Sequence, residues 1–420
     1  MKLRHREFFA VSICLTVLGM GGVLGTNQPE GLAVPMRQPS FIAQASQQVT
    51  NAQLIAANTR LSFKLFSEIL KQQPDQNIFI SPASVAIALA MTYNGAKGET
   101  QQAIAHTLEL EGMSLEEVNQ AYATLRATLT NPDPTVQLSI ANSLWGRQGE
   151  PFNPEFLQKN QTFYGTQVTS LDFTNSTASD VINNWVKQST NGKIDKIVDS
   201  HEFSPDTILV LLNAIYFKGF WTRAFDKTST KELPFTLLNG TQKSHPIMFQ
   251  ESEYWYYENE LFQAVSLPYG QGRLSLYIFL PHKNVSLKTF YQKLNAESWE
   301  QWMSEFTPEQ VLLGLPRFKL DYELELNNAL KSLGMAIAFE PNRADFSGIT
   351  SRPAYISKVK HNTFFEVNEE GSEAAGAASV QVNTRSSRQA SQMTVDRPFF
   401  CAIFDNQTKS ILFMGSILEP

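Results

Sequence analysis

Cysteine is almost missing from this 420-residue chain, which has only Cys14 and Cys401. Cys14 lies in an apolar N-terminal run, so a disulfide framework is excluded once that run is removed or embedded. Charge is also scarce. Only 18% of residues are Asp, Glu, Lys or Arg, below the ~25% usual for soluble domains. With 42% hydrophobic residues, the chain is a core-forming protein and not a disordered one. There is no basic excess: 34 Lys and Arg face 40 Asp and Glu, a net charge of −6, which argues against a nucleic-acid surface.

Enzymatic signatures are missing too. No H-E-x-x-H, C-x-x-C, G-x-S-x-G, P-loop or intact G-x-G-x-x-G is present. His201-Glu202 is followed by Phe203-Ser204-Pro205, so a second histidine one turn on is lacking. The six histidines have no metal-ligand spacing. A catalytic triad assembles in space and leaves no fixed spacing, and nothing here favours one. No metal, no cofactor and no enzymatic reaction are expected.

What is present begins with a leader. Lys2, Arg4, His5 and Arg6 precede an apolar stretch from Phe8 to Gly25, the pattern of a signal peptide or an uncleaved N-terminal anchor. Cleavage fits Gly22–Gly25 or Ala43-Gln44-Ala45. Ile13 before Cys14 is not the small residue that lipid attachment wants. Residues 26–50, with three prolines up to Pro39 and many glutamines, read as a flexible linker. The expectation is an exported protein, secreted or periplasmic, or tethered through residues 8–25. Residues 51–420 show no internal repeat and read as one domain.

Within that domain, Ala52–Gln72 has an apolar helical stripe, and Ile78–Ile80 is a short buried strand. Ser81-Pro82 starts a helix with proline at its first position, and Ser179–Gln188 is another helix. Eight apolar runs then read as strands: 208–212, 254–257, 262–267, 274–280, 311–315, 364–367, 399–404 and 411–417. The class is α+β.

The segment from Glu369 to Arg397 carries the functional information. It is long, polar and rich in small residues, between strands ending at Val367 and beginning at Phe399. Composition alone reads as an exposed Ala/Gly/Ser loop. Period-2 counting adds a second reading. Ser372, Ala374, Gly376, Ala378, Val380 and Val382 share one face that has no charge and no bulky ring. Glu373, Ala375, Ala377, Ser379, Gln381 and Asn383 share the other. Gly371 precedes both as a hinge. Such a segment can leave the surface and enter a sheet.

The run Glu369-Glu370-Gly371-Ser372-Glu373-Ala374-Ala375-Gly376-Ala377-Ala378 resembles the hinge of inhibitory serpins. The resemblance extends over residues 51–420. It includes Asn77–Ser84, Tyr93–Thr100, Leu212–Trp221 and Asp396–Phe400 in family order. It implies a single domain with three β-sheets, eight or nine helices and an exposed reactive-centre loop. It also implies a suicide-substrate inhibitor. A protease attacks the loop, forms its acyl-enzyme, and is carried away as the loop inserts into the main sheet. The native state would then be a kinetic trap.

In the family register the reactive bond falls at Arg385-Ser386, with Arg388 as a competitor. An arginine there suits trypsin-like serine proteases, which would be held as a covalent acyl complex. Ser81, Ser84, Asn213 and His361 match polar positions under the middle of the sheet, where strands must part. Trp221 and Gly219 match the region where insertion begins, and Arg317 matches a basic partner for Glu369. The stretch Glu99–Leu110 has no basic cluster, so heparin activation is not expected. The native protein is expected to be a monomer. The alternative is a non-inhibitory serpin-fold carrier or chaperone, which would ordinarily place charged, bulky or proline residues on the inserting face.

Overall fold

The computed structural model describes residues 41–130, 133–203, 207–372 and 390–420. The first helix, α1 (Phe41–Gln72), begins inside the stretch read as linker. The last proline is Pro39, and Phe41–Thr50 contains neither proline nor glycine to break a helix. Its later turns bury Leu54, Leu61, Leu65, Phe66 and Ile69. After β1 (Ile78–Ile80), the Ser81 hydroxyl accepts the Ser84 amide and Pro82 takes the first position of α2 (Pro82–Tyr93). Next come α3 (Gly98–Thr107), α4 (Leu115–Leu129), β2 (Val136–Arg147), α5 (Pro154–Lys159), β3 (Val168–Leu171), α6 (Ala178–Ser189) and β4 (Leu209–Phe220).

Strands dominate from there: β5 (Lys231–Thr236), β6 (Gln242–Glu258), β7 (Phe262–Pro268) and β8 (Leu274–Pro281). Helices α7 (Leu287–Lys293) and α8 (Ala296–Ser304) precede β9 (Thr307–Pro316) and β10 (Phe318–Glu325). The rest is α9 (Asn327–Leu330), β11 (Val359–Val367), β12 (Gly371–Ser372), β13 (Ser391–Thr394), β14 (Phe399–Asp405) and β15 (Ser410–Ile417). All eight predicted apolar runs fall on strands, with Ile208 alone just ahead of β4. Two amphipathic strands, β2 and β10, add to them.

The main sheet has the order β10-β11-β4-β2-β3, with β12 attached to β4. The other strands form one network, β1-β15-β14-β8-β7-β6-β9-β13, with β5 on β6. Three sheets were expected, and two hydrogen-bonded networks are found among the described residues. The reason is β6, whose 17 residues pair with β5 and β9 over one part and with β7 at the other end. It welds two sheets into one ladder. Nine α-helices are present among the described residues.

The core lies between the two networks. Phe79 stacks on Phe365 of the main sheet at 4.4 Å and on Phe413 at 5.3 Å. On the outer face, α6 covers a separate apolar cluster with Trp145, Ile182, Val186, Leu212 and Phe364. No described helix is long and apolar enough to cross a membrane. Residues 1–40, which include the stretch read as a leader, lie outside the described residues.

Candidate functional site: hinge and seam of the main sheet

Strands β4 and β11 run parallel and pair from Val359–Leu211 to Phe364–Tyr216. Beyond that point β11 has no further partner residues on β4. The chain instead reverses in a tight turn, where Asn368 and Gly371 exchange backbone hydrogen bonds. It returns as β12, antiparallel to β4, with Gly371 opposite Phe220 and Ser372 opposite Gly219. Gly371 and Ser372 of the hinge therefore already occupy a strand position on β4, on the side that faces β11.

Local chemistry explains why only these residues fit. Gly371 has φ +147°, and a Cβ there would sit 2.1 Å from the Gly219 carbonyl oxygen. Across the ladder, a Cβ on Gly219 would meet the Tyr269 ring at 2.9 Å. Ser372 is fully buried, and its Oγ lies 2.7 Å from the Tyr269 hydroxyl. Tyr269 stacks on Trp221 with ring centroids 4.4 Å apart. Trp221 clasps the turn: its Nε1 donates to the Asn368 carbonyl at 2.9 Å and its amide to the Glu370 carbonyl at 3.0 Å.

Glu369 anchors the turn from the other side. It is buried, and its Oε1 accepts Arg317 Nε at 2.7 Å, a second Arg317 nitrogen, and Thr230 Oγ1 at 2.5 Å. Burial pushes this carboxyl up, but the Arg317 and Thr230 hydrogen bonds outweigh it and hold it below the usual range. Glu370 pairs with Lys227 at 2.5 Å.

Ser81, Ser84, Asn213 and His361 come together beneath the β4–β11 pairing, where His361 stands directly opposite Asn213. His361 Nε2 accepts the Ser81 amide at 3.0 Å, so the ring proton is on Nδ1, which donates to Asn213 Oδ1 at 2.6 Å. Asn213 Nδ2 donates to Ser84 Oγ and to Asn142 Oδ1. Ser81 Oγ donates to the Leu412 carbonyl at 2.6 Å. Burial drives the His361 pKa down to about 3. Protonation would also set an N–H against the Ser81 N–H.

The other sequence candidates fall elsewhere. Glu373, Ala374, Ala375, Gly376, Ala377, Ala378, Arg385, Ser386 and Arg388 lie outside the described residues. Thr230, Lys227, Tyr269 and Asn142 join the site without having been anticipated, because each reaches it from a distant strand or loop. Among the described residues no cluster of three or more His, Cys, Asp or Glu could hold a metal ion. Cys401 is a buried free thiol, pushed far up by its burial.

A pair of sheets with a seam that opens toward a returning hinge defines a class, and comparison with known proteins gives it a family. A sequence profile described as "Serpin (serine protease inhibitor)" matches residues 56–420. The chain is 36% identical over 379 residues to human (Homo sapiens) leukocyte elastase inhibitor, covering 88% of this chain and 100% of that protein. Among solved structures, the thermophilic serpin tengpin in its native state superposes with a TM-score of 0.80 at 33% identity, over 87% of this chain and 94% of that one. Human thyroxine-binding globulin complexed with thyroxine gives 0.81 at 28% identity, over 88% and 99%. The chain belongs to the serpin family and has the serpin fold.

Proposed function

We propose that this protein inhibits proteases as a suicide substrate and is not itself an enzyme. The observation that carries this reading is the pairing of Gly371 and Ser372 with Phe220 and Gly219. Gly371 and Ser372 enter the sheet at the end of the β4–β11 pairing, with the small Ser372 side chain inward. A protease that cuts the chain between Ser372 and β13 would untie the hinge from β13, to which it is joined in the intact chain. The loop would then advance between β4 and β11, taking the acylated protease with it.

The reactive bond in this reading is Arg385-Ser386, and the partner is a trypsin-like serine protease held as a covalent acyl complex by a monomeric inhibitor. Leukocyte elastase inhibitor, by its name, acts on a protease, which supports a protease partner here. The arginine side chain supports the trypsin-like class. Heparin plays no part in the reading, since α3 has no basic cluster. Export rests on the leader pattern of residues 1–25 alone.

The second reading, a carrier, is favoured by one observation. A cavity of about 970 Å³ lies between α1, α8 and the larger network, lined by Ile55, Trp255, Tyr277, Trp299 and Phe306 among others. The test separates the two readings. The protein is mixed with trypsin and run on a denaturing gel. A stable band at the combined mass supports inhibition, and cleavage without such a band marks a substrate or non-inhibitor, as the carrier reading requires.

A further inference from the structure

Helix α6 and the segment after it form one unit on the outer face of the main sheet. Asn183 Oδ1 accepts the amides of Ile197 and Val198 at 2.9 and 3.1 Å, and its Nδ2 donates to the Val198 carbonyl at 2.9 Å. A single turn, Ser200–Glu202, follows, in which the Asp199 amide donates to Glu202 Oε1 at 2.9 Å. The same carboxylate accepts Lys358 Nζ at 2.8 Å and Lys360 Nζ at 2.7 Å. Lys360 also donates to the Ile197 carbonyl at 3.0 Å and to Glu323 at 3.2 Å. Lys358 has Glu325 3.7 Å away.

The connectivity gives these contacts meaning. Glu202 lies in the turn that precedes β4 along the chain, whereas Lys360 belongs to β11 and Lys358 immediately precedes it. The ion group therefore ties the segment leading into β4 to the start of β11, the two strands whose separation insertion requires. It is also well placed to last. Exposed ion pairs contribute little, but the side chains of Glu202 and Lys360 are only 9% and 11% exposed. Burial pushes the Glu202 carboxyl up, yet the lysine hydrogen bonds and the Asp199 amide hold it at about 2. The carboxylate stays ionised throughout the neutral range.

Its position along the seam follows from register. In the β12 register, each further loop residue moves one step down β4. Ala378 would stand opposite Asn213, and Ser379 opposite Leu212, which now pairs with Lys360. The apolar cluster under α6, with Leu212 and Phe364, spans the same rows.

We propose that Glu202, held between Lys358 and Lys360, is a latch across the lower end of the β4–β11 seam that sets how fast the inserted strand completes its passage. The latch deepens the inhibitory reading and rests on it for its biological consequence. It acts late, after the upper seam and the His361–Asn213 pair have parted.

Hydrogen exchange tests the latch without any protease. In Glu202→Gln, amides of the β4–β11 pairing should exchange at least tenfold faster, with the β2–β3 pairing unchanged. Lys360→Gln should do the same, which keeps the test intact if the first variant folds poorly, and Lys360→Arg should behave as wild type. A synthetic peptide with the sequence Ser372–Asn383 should enter the sheet of Glu202→Gln at least tenfold faster than that of wild type. Unchanged exchange, a rise spread equally over β2 and β3, or equal peptide uptake would overturn the latch. If the exchange and uptake effects appear but wild type forms no covalent complex with trypsin, the latch stands and the inhibitory reading fails.

Discussion

The Ser372 hydroxyl meets the Tyr269 hydroxyl at 2.7 Å with both residues fully removed from solvent. The hinge thus has its first inward side chain seated in the core, ahead of the row where β4 and β11 pair. Charge cannot follow it. In Ala374→Arg, at the next position of the same face in sequence, an unpaired cation would have to enter the sheet during insertion, costing several kcal/mol even after relaxation. Each ~1.4 kcal/mol added to the insertion barrier slows that step tenfold, while hydrolysis of the acyl-enzyme continues. Ala374→Arg should turn the protein into a substrate, measured as a stoichiometry of inhibition rising at least tenfold, whereas Ser372→Arg should already lower the stability of the intact protein, because Ser372 is buried there. Glu373→Arg, on the opposite face, should change the stoichiometry little.

The anchor at Glu369 predicts a second effect. Arg317→Ala leaves this buried carboxylate with Thr230 as its remaining side-chain partner. Because the Arg317 side chain is 42% exposed, the loss is set at about 1–3 kcal/mol, below that of a fully buried pair. The turn should loosen, and polymer or loop-inserted forms should appear several-fold faster on mild heating, as followed by native gels. Identical rates in Arg317→Ala and wild type would remove the pair from the account.

His361 makes the lower seam sensitive to acid. Its folded pKa is about 3, below the ~6.5 of an unfolded chain. Between those values the unfolded state takes up a proton that the folded state refuses. Stability is therefore complete above about pH 6.5 and falls on acidification toward pH 3, by at most ~1.4 kcal/mol per pH unit from this residue. Denaturant unfolding at pH 7 and pH 5 should show a smaller loss for His361→Gln than for wild type. Equal losses would mean that the ring is not held neutral.

The reactive bond has its own check. Arg385→Ala should abolish complex formation with trypsin-like proteases and leave the melting temperature unchanged. The peptide released from wild type should begin at Ser386 by mass spectrometry. A peptide beginning at Gln389, with Arg385→Ala still inhibitory, would move the bond to Arg388.

Much of this fold is legible in order along the chain, because buried strands such as β8 and β15 are continuous apolar runs and Ser81-Pro82 is a local helix start. The strict alternation of Phe318–Glu325 is equally local and marks β10, though an apolar-run search passes over it. The hinge is legible from side-chain size, since small residues at every second position matter to any sheet they enter. What is not legible depends on partners far apart in sequence. Glu202 reads only as part of a broken His-Glu pair until folding brings Lys358 and Lys360, more than 150 residues later, onto its oxygens. Tyr269 and Thr230 likewise reveal nothing until the turn at Asn368–Gly371 is set against them. The fusion of two sheets through β6 likewise depends on partners far apart in sequence, β5, β7 and β9.

The central claim is that the chain beyond Ser372 becomes a strand between β4 and β11 once the loop is cut. Thermal unfolding of intact and loop-cleaved protein, compared at the same pH and ionic strength, tests it most directly. A completed main sheet gains a central strand with all its hydrogen bonds and buried small side chains, so the cleaved protein should melt far above the intact one. A cleaved protein that melts at or below the temperature of the intact chain would contradict the account.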